Sequence, residues 1–504
     1  MECTIGNVES VRHIDEGKTK GAAYDTAWVA RVTDECGKPL FPECVKWLLE
    51  NQKPDGSWGC KIQYYHDRVL STLSAVMALK ELGKTRYKEY IQKGETYIWE
   101  NIENLALDNY RLIGSELLIP SLMEQAESMG LHLPYHVNVY QKEYHAKLKK
   151  IDESLWYSPT TTLSFSLEFL GKDVDMHRLP EVQLPDGSVG NSPASTAYFL
   201  KYIKDAKAAT YLRDALSFTR NGSVMTVYPI DMFEYGWTVY NLMLAGLYLE
   251  RFTEICDFLF NNIGRQGASW STLFPIPDAD DTAVILKVLH NLQYTIDPSV
   301  LKMFYTGKYY LTFTFELDPS ISTNIHVLDF VKSFSEFSDR EHVIEQLVHF
   351  LRREIHPDGF WIDKWHASPY YPTSHAVFAL CDIDPSLAER AISWILETQH
   401  ENGLWGAHEG EYKGTLEETA YAVQALLYYH SHVESIDTRR ILMALSALNM
   451  KTFVSSLDTL PEMWVAKVLL TPIRVIRSAV ASAQLMARVQ NLQSAFVACG
   501  RWIL

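Results

Sequence analysis

One pattern of apolar and polar positions recurs along the chain. An amphipathic helix runs into a Gly turn, an aromatic residue follows, and a second helix comes next. The clearest copies are Trp47-Leu-Leu-Glu-Asn-Gln-Lys-Pro-Asp-Gly-Ser-Trp-Gly59 and Trp394-Ile-Leu-Glu-Thr-Gln-His-Glu-Asn-Gly-Leu-Trp-Gly406. Trp, Leu, Glu, Gln, Gly, Trp and Gly fall at matched positions in both. Weaker copies run from Phe350 to Trp361, from Phe258 to Trp270, and over Leu184-Pro-Asp-Gly-Ser188. The second helices are expected at 67–79, 192–200, 281–289 and 418–426. Helix-pair repeats at wide, uneven spacing predict an all-α protein, a closed or stacked helical toroid. The repeated Gln is expected to bond backbone, with the indole stacked on it, which makes these residues scaffold.

One of the second helices opens with acid: Asp278-Ala279-Asp280-Asp281 follows a Pro-flanked loop and precedes the apolar run Val284 to Leu289. Carboxylates at a helix start cap free N–H groups and suit the positive end of the dipole, and Asp278 fits that role. Three crowded carboxylates cannot all ionise cheaply, so at least one proton is expected to stay bound at neutral pH. The helix dipole opposes this, and desolvation must win for an acid to work there. In a toroid of helix pairs, inner-helix starts ring one end of a central cavity, which moves Asp280 from a surface cap toward an aromatic-lined pocket.

Composition narrows the class. At 504 residues the chain suits two domains, and 47% apolar with 21% charged residues is globular. The net charge of −16 argues against nucleic acid or an anionic membrane surface, so any phosphate site must be a local cluster of Lys or Arg. The seven Cys form no CxxC pair and suit a reduced cytosolic protein. No basic-then-apolar leader and no long apolar run is present, so a soluble cytoplasmic protein without a membrane span is expected.

Asp-x-Asp-Asp followed by Thr282-Ala283, the Gln/Gly/Trp repeats and Ala23-Tyr-Asp-Thr-Ala-Trp-Val-Ala30 together resemble a class II terpene cyclase. The chain is most similar to the bacterial class II diterpene cyclases that make copalyl-, halimadienyl- or kolavenyl-type diphosphates. Further matches are Val227 to Glu234, Ser320 to Val327, Asp363-Lys-Trp-His366, Glu418 to Tyr421 and Leu460 to Lys467. The resemblance implies two α/α-barrel domains with the active site between them: a γ domain at 41–235, inserted into a β domain made of 1–40 and 236–504. The Asp-Asp-x-x-Asp motif that ionises diphosphates elsewhere in the family is absent, so the diphosphate should survive the reaction.

By the same resemblance Asp280 is the general acid that protonates an alkene, with Asp278 and Asp281 positioning it and receiving compensating hydrogen bonds. Trp270, Trp361, Tyr370, Tyr371 and Trp464 are candidates to stabilise the cation by their π faces. Lys147 and Lys364 are expected to hold the diphosphate, and Asp108 with Glu116 marks a thin motif for weakly bound Mg2+. Plant copalyl-type enzymes carry a His and an Asn that hold the terminating water. Here Phe165 and Thr226 stand in their places, which implies a longer-lived cation, held by an aromatic, and a rearranged halimadane or clerodane skeleton from geranylgeranyl diphosphate. A Tyr, His326 or a water near Asn324 is left to end the reaction, with His326 equally open to a core role.

The alternatives are a copalyl diphosphate synthase, a C15 enzyme making drimenyl diphosphate, a non-catalytic prenyl-binding toroid and an (α/α) glycosidase with two opposed carboxylates. The single acid cluster among aromatics disfavours the last. A cyclised diphosphate is an intermediate, so a downstream class I synthase or a phosphatase is the expected partner.

Overall fold

The computed structural model describes residues 19–246, 250–408, 410–454 and 460–490. Its helices gather around two large hydrophobic cores. The first holds α1 (Ala23–Ala30), α2 (Pro42–Glu50), α3 (Tyr65–Glu81), α4 (Lys88–Asn101), α5 (Ser115–Ser128), α6 (Gln141–Lys150), α7 (Pro193–Tyr202) and α8 (Ala206–Thr219). α1 packs on α3 and α7, α3 packs on α5, and the 3-10 segment Thr162–Leu170 joins α5 to α7, so the inner elements close a ring. α2, α4, α6 and α8 lie outside it, against α1, α3, α5 and α7 in turn.

The second core holds α9 (Asp231–Leu244), α10 (Glu250–Asn262), α11 (Ala279–Asn291), α12 (Ile321–Ser333), α13 (Arg340–Glu354), α14 (Tyr370–Leu380), α15 (Pro385–Glu397), α16 (Leu416–His432), α17 (Arg439–Val454) and α18 (Ile473–Val489). Here the ring runs α9, α11, α12, α14, α16, α18 and back to α9. Burial separates the two layers. Every residue of α1 and α14 is buried, whereas α13 buries only Val343, Leu347, Phe350 and Leu351, one stripe at helical spacing. The molecule is thus a pair of α/α barrels: the helical closure is what the repeats predict, and the pairing is what the resemblance implies.

The repeats work by hydrogen bonding. Gln52 Nε2 donates to Gly56 O in its own turn and to Tyr90 O on the next outer helix, both at 2.9 Å; Gln399 does the same to Gly403 O and Arg440 O. The indoles donate to a carbonyl ten residues back: Trp58 to Leu48, Trp361 to Leu351 and Trp405 to Ile395. A Thr on the inner helix completes each unit by accepting from the turn's backbone. Thr72, Thr373 and Thr419 accept from Trp58, Trp361 and Trp405, and Thr282 accepts from Ala268. The turn glycines are required. Gly56 has φ +87°, and a Cβ there would come within 2.5 Å of Lys93 O.

Core membership revises the expected boundaries. α1 belongs to the first core because its whole surface is buried against α2, α3 and α7, so 23–30 does not join the second barrel. Residues 1–18 lie outside the described residues. At the other boundary Val227 and Ile230 already pack in the second core, ahead of residue 236.

A short antiparallel hairpin, β1 (Trp464–Val465) and β2 (Leu469–Leu470), bridges the two barrels. Trp464, Ala466 and Leu470 pack with the second core and Val468 with the first, while Leu469 N–H donates to Asp67 on α3 at 2.7 Å. Ile113 N–H donates to Ala466 O at 3.0 Å from the first barrel's side.

Candidate active site

A cavity opens between the barrels. Ile113 and Phe165 from the first barrel face Val227, Ile230, Phe233, Trp237, Trp270, Phe313, Trp365 and the Trp464–Leu470 hairpin from the second. Apart from Thr312, its polar wall is the acidic triplet alone: Asp278, Asp280 and Asp281. This lining suits an apolar ligand.

The triplet sits there because α11 starts there. Asp278 caps the helix, its Oδ1 accepting from Asp281 N–H at 2.7 Å, while its own N–H donates to Ala268 O and Ala279 N–H to Thr312 O. Asp278 and Asp281 are buried and Asp280 retains some exposure. Burial holds the Asp278 carboxyl well above the usual carboxylate range, with the neighbouring Asp281 adding to it, and pushes Asp281 up to about 7. Desolvation is the largest cause at both. The two carboxyls hydrogen-bond each other, the protonated Asp278 donating to Asp281, and Asp278 Oδ2 and Asp281 Oδ1 have no other partner.

Asp280 has a partner that lies 46 residues away in sequence. His326 on α12 places Nδ1 2.5 Å from Asp280 Oδ1, and its Nε2 lies 2.8 Å from Nδ1 of His375 on α14. His326, expected among the groups free to take the final proton, has both ring nitrogens engaged. Asn324 is equally occupied. Its Oδ1 accepts from Tyr310 N–H, and its Nδ2 donates to Tyr310 O and Ser320 O. It fixes the approach to α12.

The expected aromatic wall divides. Trp270 and Trp464 line the cavity, with their N–H groups donated to Asn191 Oδ1 and Glu417 Oε1. Trp361 belongs to a repeat turn and Tyr370 packs on Trp394 with rings 4.7 Å apart, so neither reaches the cavity. Tyr371 stands behind the wall, accepting from Trp237 Nε1 at 2.9 Å with its ring 4.7 Å from Trp464. Phe165 faces the cavity. Thr226 is buried, and its neighbour Val227 is the lining residue. Phe233, Trp237, Phe313 and Trp365 complete the wall without having been singled out in the sequence; Trp365 adjoins Lys364 within a noted block.

The cations are paired. Lys364 Nζ donates to Asp318 O at 2.6 Å and meets Glu316 Oε1 at 3.0 Å beside the cavity-lining Trp365. Lys147, on the last turn of α6, is bound to Glu116 on α5. Asp108 accepts from the Tyr65 and His66 N–H groups at the start of α3 and from His66 Nδ1. Asp108 and Glu116 are thus tied to protein partners, and among the described residues no group of three His, Cys, Asp or Glu could hold a metal ion.

Comparison with known proteins adds identity to this geometry. Residues 313–441 match the squalene-hopene cyclase C-terminal domain and residues 34–109 the prenyltransferase alpha-alpha toroid domain. A type B diterpene cyclase from Mycobacterium tuberculosis is 31% identical over 92% of this chain and 94% of its own. The chain belongs to the class II diterpene cyclases. A (-)-kolavenyl diphosphate synthase from Tripterygium wilfordii is 34% identical over 70% of this chain, which spans only 44% of that plant enzyme. The solved ent-copalyl diphosphate synthase from Streptomyces platensis superposes with a TM-score of 0.76 at 26% identity, covering 95% of this cyclase and 99% of that chain. Among the described residues no helix is long and apolar enough to cross a membrane.

Proposed function

We propose that this cyclase takes geranylgeranyl diphosphate, protonates its terminal alkene from Asp280, and releases a bicyclic diterpenyl diphosphate of the halimadane or clerodane type. The observation that carries the reading is the acidic triplet facing a mostly apolar, aromatic cavity, with Asp280 alone of the three hydrogen-bonded through Oδ1 to His326. A hydrogen bond to Oδ1 stabilises the carboxylate left behind, which strengthens the acid held on the other oxygen. Asp278 keeps its proton and adds no charge; Asp281, poised near neutrality, limits the negative charge beside the acid. Exclusion of water by the aromatic wall prevents quenching, and ring faces stabilise the migrating positive charge.

Two features support the rearranged skeleton. Phe165 stands in the cavity where an early base would act and carries no basic atom, and relatives named kolavenyl diphosphate synthases reach 34% to 37% identity. Lys364 beside Trp365 is the proposed anchor for the diphosphate, which is retained and handed to a downstream class I synthase or phosphatase. Incubation of purified enzyme with geranylgeranyl diphosphate, then dephosphorylation and mass spectrometry, tests the reading. A rearranged bicyclic alcohol is expected from wild type, and only geranylgeraniol from Asp280→Asn. Cyclised product from the Asn variant at the wild-type rate overturns it.

A further inference from the structure

We propose that His375 is a positioning residue for the acid: it donates a hydrogen bond from Nδ1 to His326 Nε2, and so keeps the His326 proton on Nδ1, pointed at Asp280. The inference rests on Asp280 being the acid. It concerns a residue one ring further from the cavity, which touches neither the substrate nor the reacting atoms.

The three groups form a line. Asp280 Oδ1 meets His326 Nδ1 at 2.5 Å, and His326 Nε2 meets His375 Nδ1 at 2.8 Å. His375 is fully buried on α14, and its remaining nitrogen, Nε2, faces no hydrogen-bond partner. Neutral imidazole carries one proton. On Nε2 that proton would be a buried N–H with no acceptor, which folded proteins rarely tolerate; a lone pair without a donor is the lesser penalty. The proton therefore sits on Nδ1. Burial also holds the His375 ring well below the ordinary histidine range, with His326 and His366 opposing a charge there, so the ring stays neutral. Its orientation is fixed by Tyr240, stacked 5.6 Å away, and by Tyr371 at 4.5 Å.

The chemical consequence follows from the alternatives. With His375 donating, His326 Nε2 accepts, and the single proton of a neutral His326 lies on Nδ1 and points at Asp280 Oδ1. The acidic proton of Asp280 is then left to Oδ2. In the other tautomer His326 Nδ1 is a bare lone pair against Asp280, and imidazole, the stronger base, draws the carboxyl proton to itself. An Asp280 carboxylate paired with imidazolium cannot protonate an alkene. His375 selects the armed arrangement.

Two substitutions and one spectrum test this. In His375→Asn the amide Nδ2–H can replace the Nδ1–H donor, whereas His375→Leu removes it. Loss of the correct tautomer in a comparable relay lowers kcat by about 10⁴-fold, so His375→Leu is expected to lower kcat on geranylgeranyl diphosphate by at least about 100-fold with KM unchanged. His375→Asn is expected to retain kcat within about 3-fold. In ¹⁵N-histidine-labelled wild type, long-range ¹H–¹⁵N correlation should give His326 protonated on Nδ1 and not on Nε2. Wild-type kcat in His375→Leu, an equal collapse of both folded variants, or a His326 proton on Nε2 overturns the proposal. The spectrum needs no turnover. It decides the matter should His375→Leu fail to fold, and a failure of Asp280 as acid, seen in Asp280→Asn, leaves the tautomer reading separately measurable.

Discussion

The buried ammonium of Lys467 lies 4.8 Å from the centre of the Phe165 ring, which lines the cavity. Lys467 reaches it from the interdomain hairpin and is held by Glu168 Oε1 at 2.8 Å and Ser192 Oγ at 2.6 Å. The π cloud of Phe165 is already engaged by one cation, which leaves it a poor host for a second. We therefore propose that Phe165 acts by shape and by lacking a basic atom. A histidine in its place would stand beside a positive charge that keeps imidazole neutral and able to accept a proton. Phe165→His is expected to raise the unrearranged bicyclic fraction by about tenfold, a shift of about 1.4 kcal/mol in partitioning. Phe165→Leu, equally without a base, should leave the profile as in wild type. Mass spectrometry of the dephosphorylated products reads both.

Asp281 makes the activity pH-dependent. Its carboxyl, pushed up to about 7 by burial, is neutral in acid and charged above that value. A new negative charge on the residue next to the acid weakens it, so kcat is expected to fall as pH rises through about 7, and Asp281→Asn should move that limb upward. Stability carries the same sign. An exposed Asp titrates near 3.9, so the contribution of the folded carboxyl is complete below about pH 4 and lost as pH rises through about 7. Asp281→Asn should therefore raise Tm at pH 8 by about 2 °C or more and change it little at pH 4. A Tm gain of equal size at both values would count against the shifted carboxyl.

The scaffold was legible because it repeats. Matched Gln, Gly and Trp positions announce the same turn wherever they occur, and the structure builds that turn at 52–58 and 399–405 with the same hydrogen bonds. The acidic triplet was legible because three carboxylates in four residues are unusual before an apolar helix. Its partners were not. His326 and His375 reach Asp280 only because α11, α12 and α14 are ring neighbours, and nothing in their local sequence separates them from a core histidine. The wall was half-legible for the same reason: Trp361 and Trp365 sit in one short stretch, yet one is bonded into a turn and the other faces the cavity.

Trp361 offers a test of that division. Its indole donates to Leu351 O at 2.9 Å and is fully buried away from the cavity lining. Trp361→Phe removes the donor and leaves a buried carbonyl unpaired, at a cost of about 1–3 kcal/mol. Denaturant unfolding should record that loss, while kcat at a temperature well below Tm stays within about twofold of wild type. A large fall in kcat with unchanged stability would return Trp361 to the cation-stabilising set.

Lys364 is the cation whose surroundings best fit exchange. Its ammonium is shared between Asp318 O and Glu316 Oε1, while Glu316 Oε2 accepts from the Thr312 and Phe313 N–H groups at the cavity edge. An arriving diphosphate would compete with Glu316 for the same ammonium. Charge-assisted hydrogen bonds are worth about 1.5–3 kcal/mol, so Lys364→Ala should raise KM by about 10-fold or more, with a smaller change in kcat. Glu316→Gln separates binding from scaffolding. The amide oxygen can still accept from Thr312 and Phe313, but the charge that competes for Lys364 is gone, so KM should fall below that of wild type. Lys147, 43% exposed at its side chain and paired with Glu116, should matter less. If Lys147→Ala raises KM more than Lys364→Ala does, the diphosphate lies against the first barrel and the anchor must be reassigned.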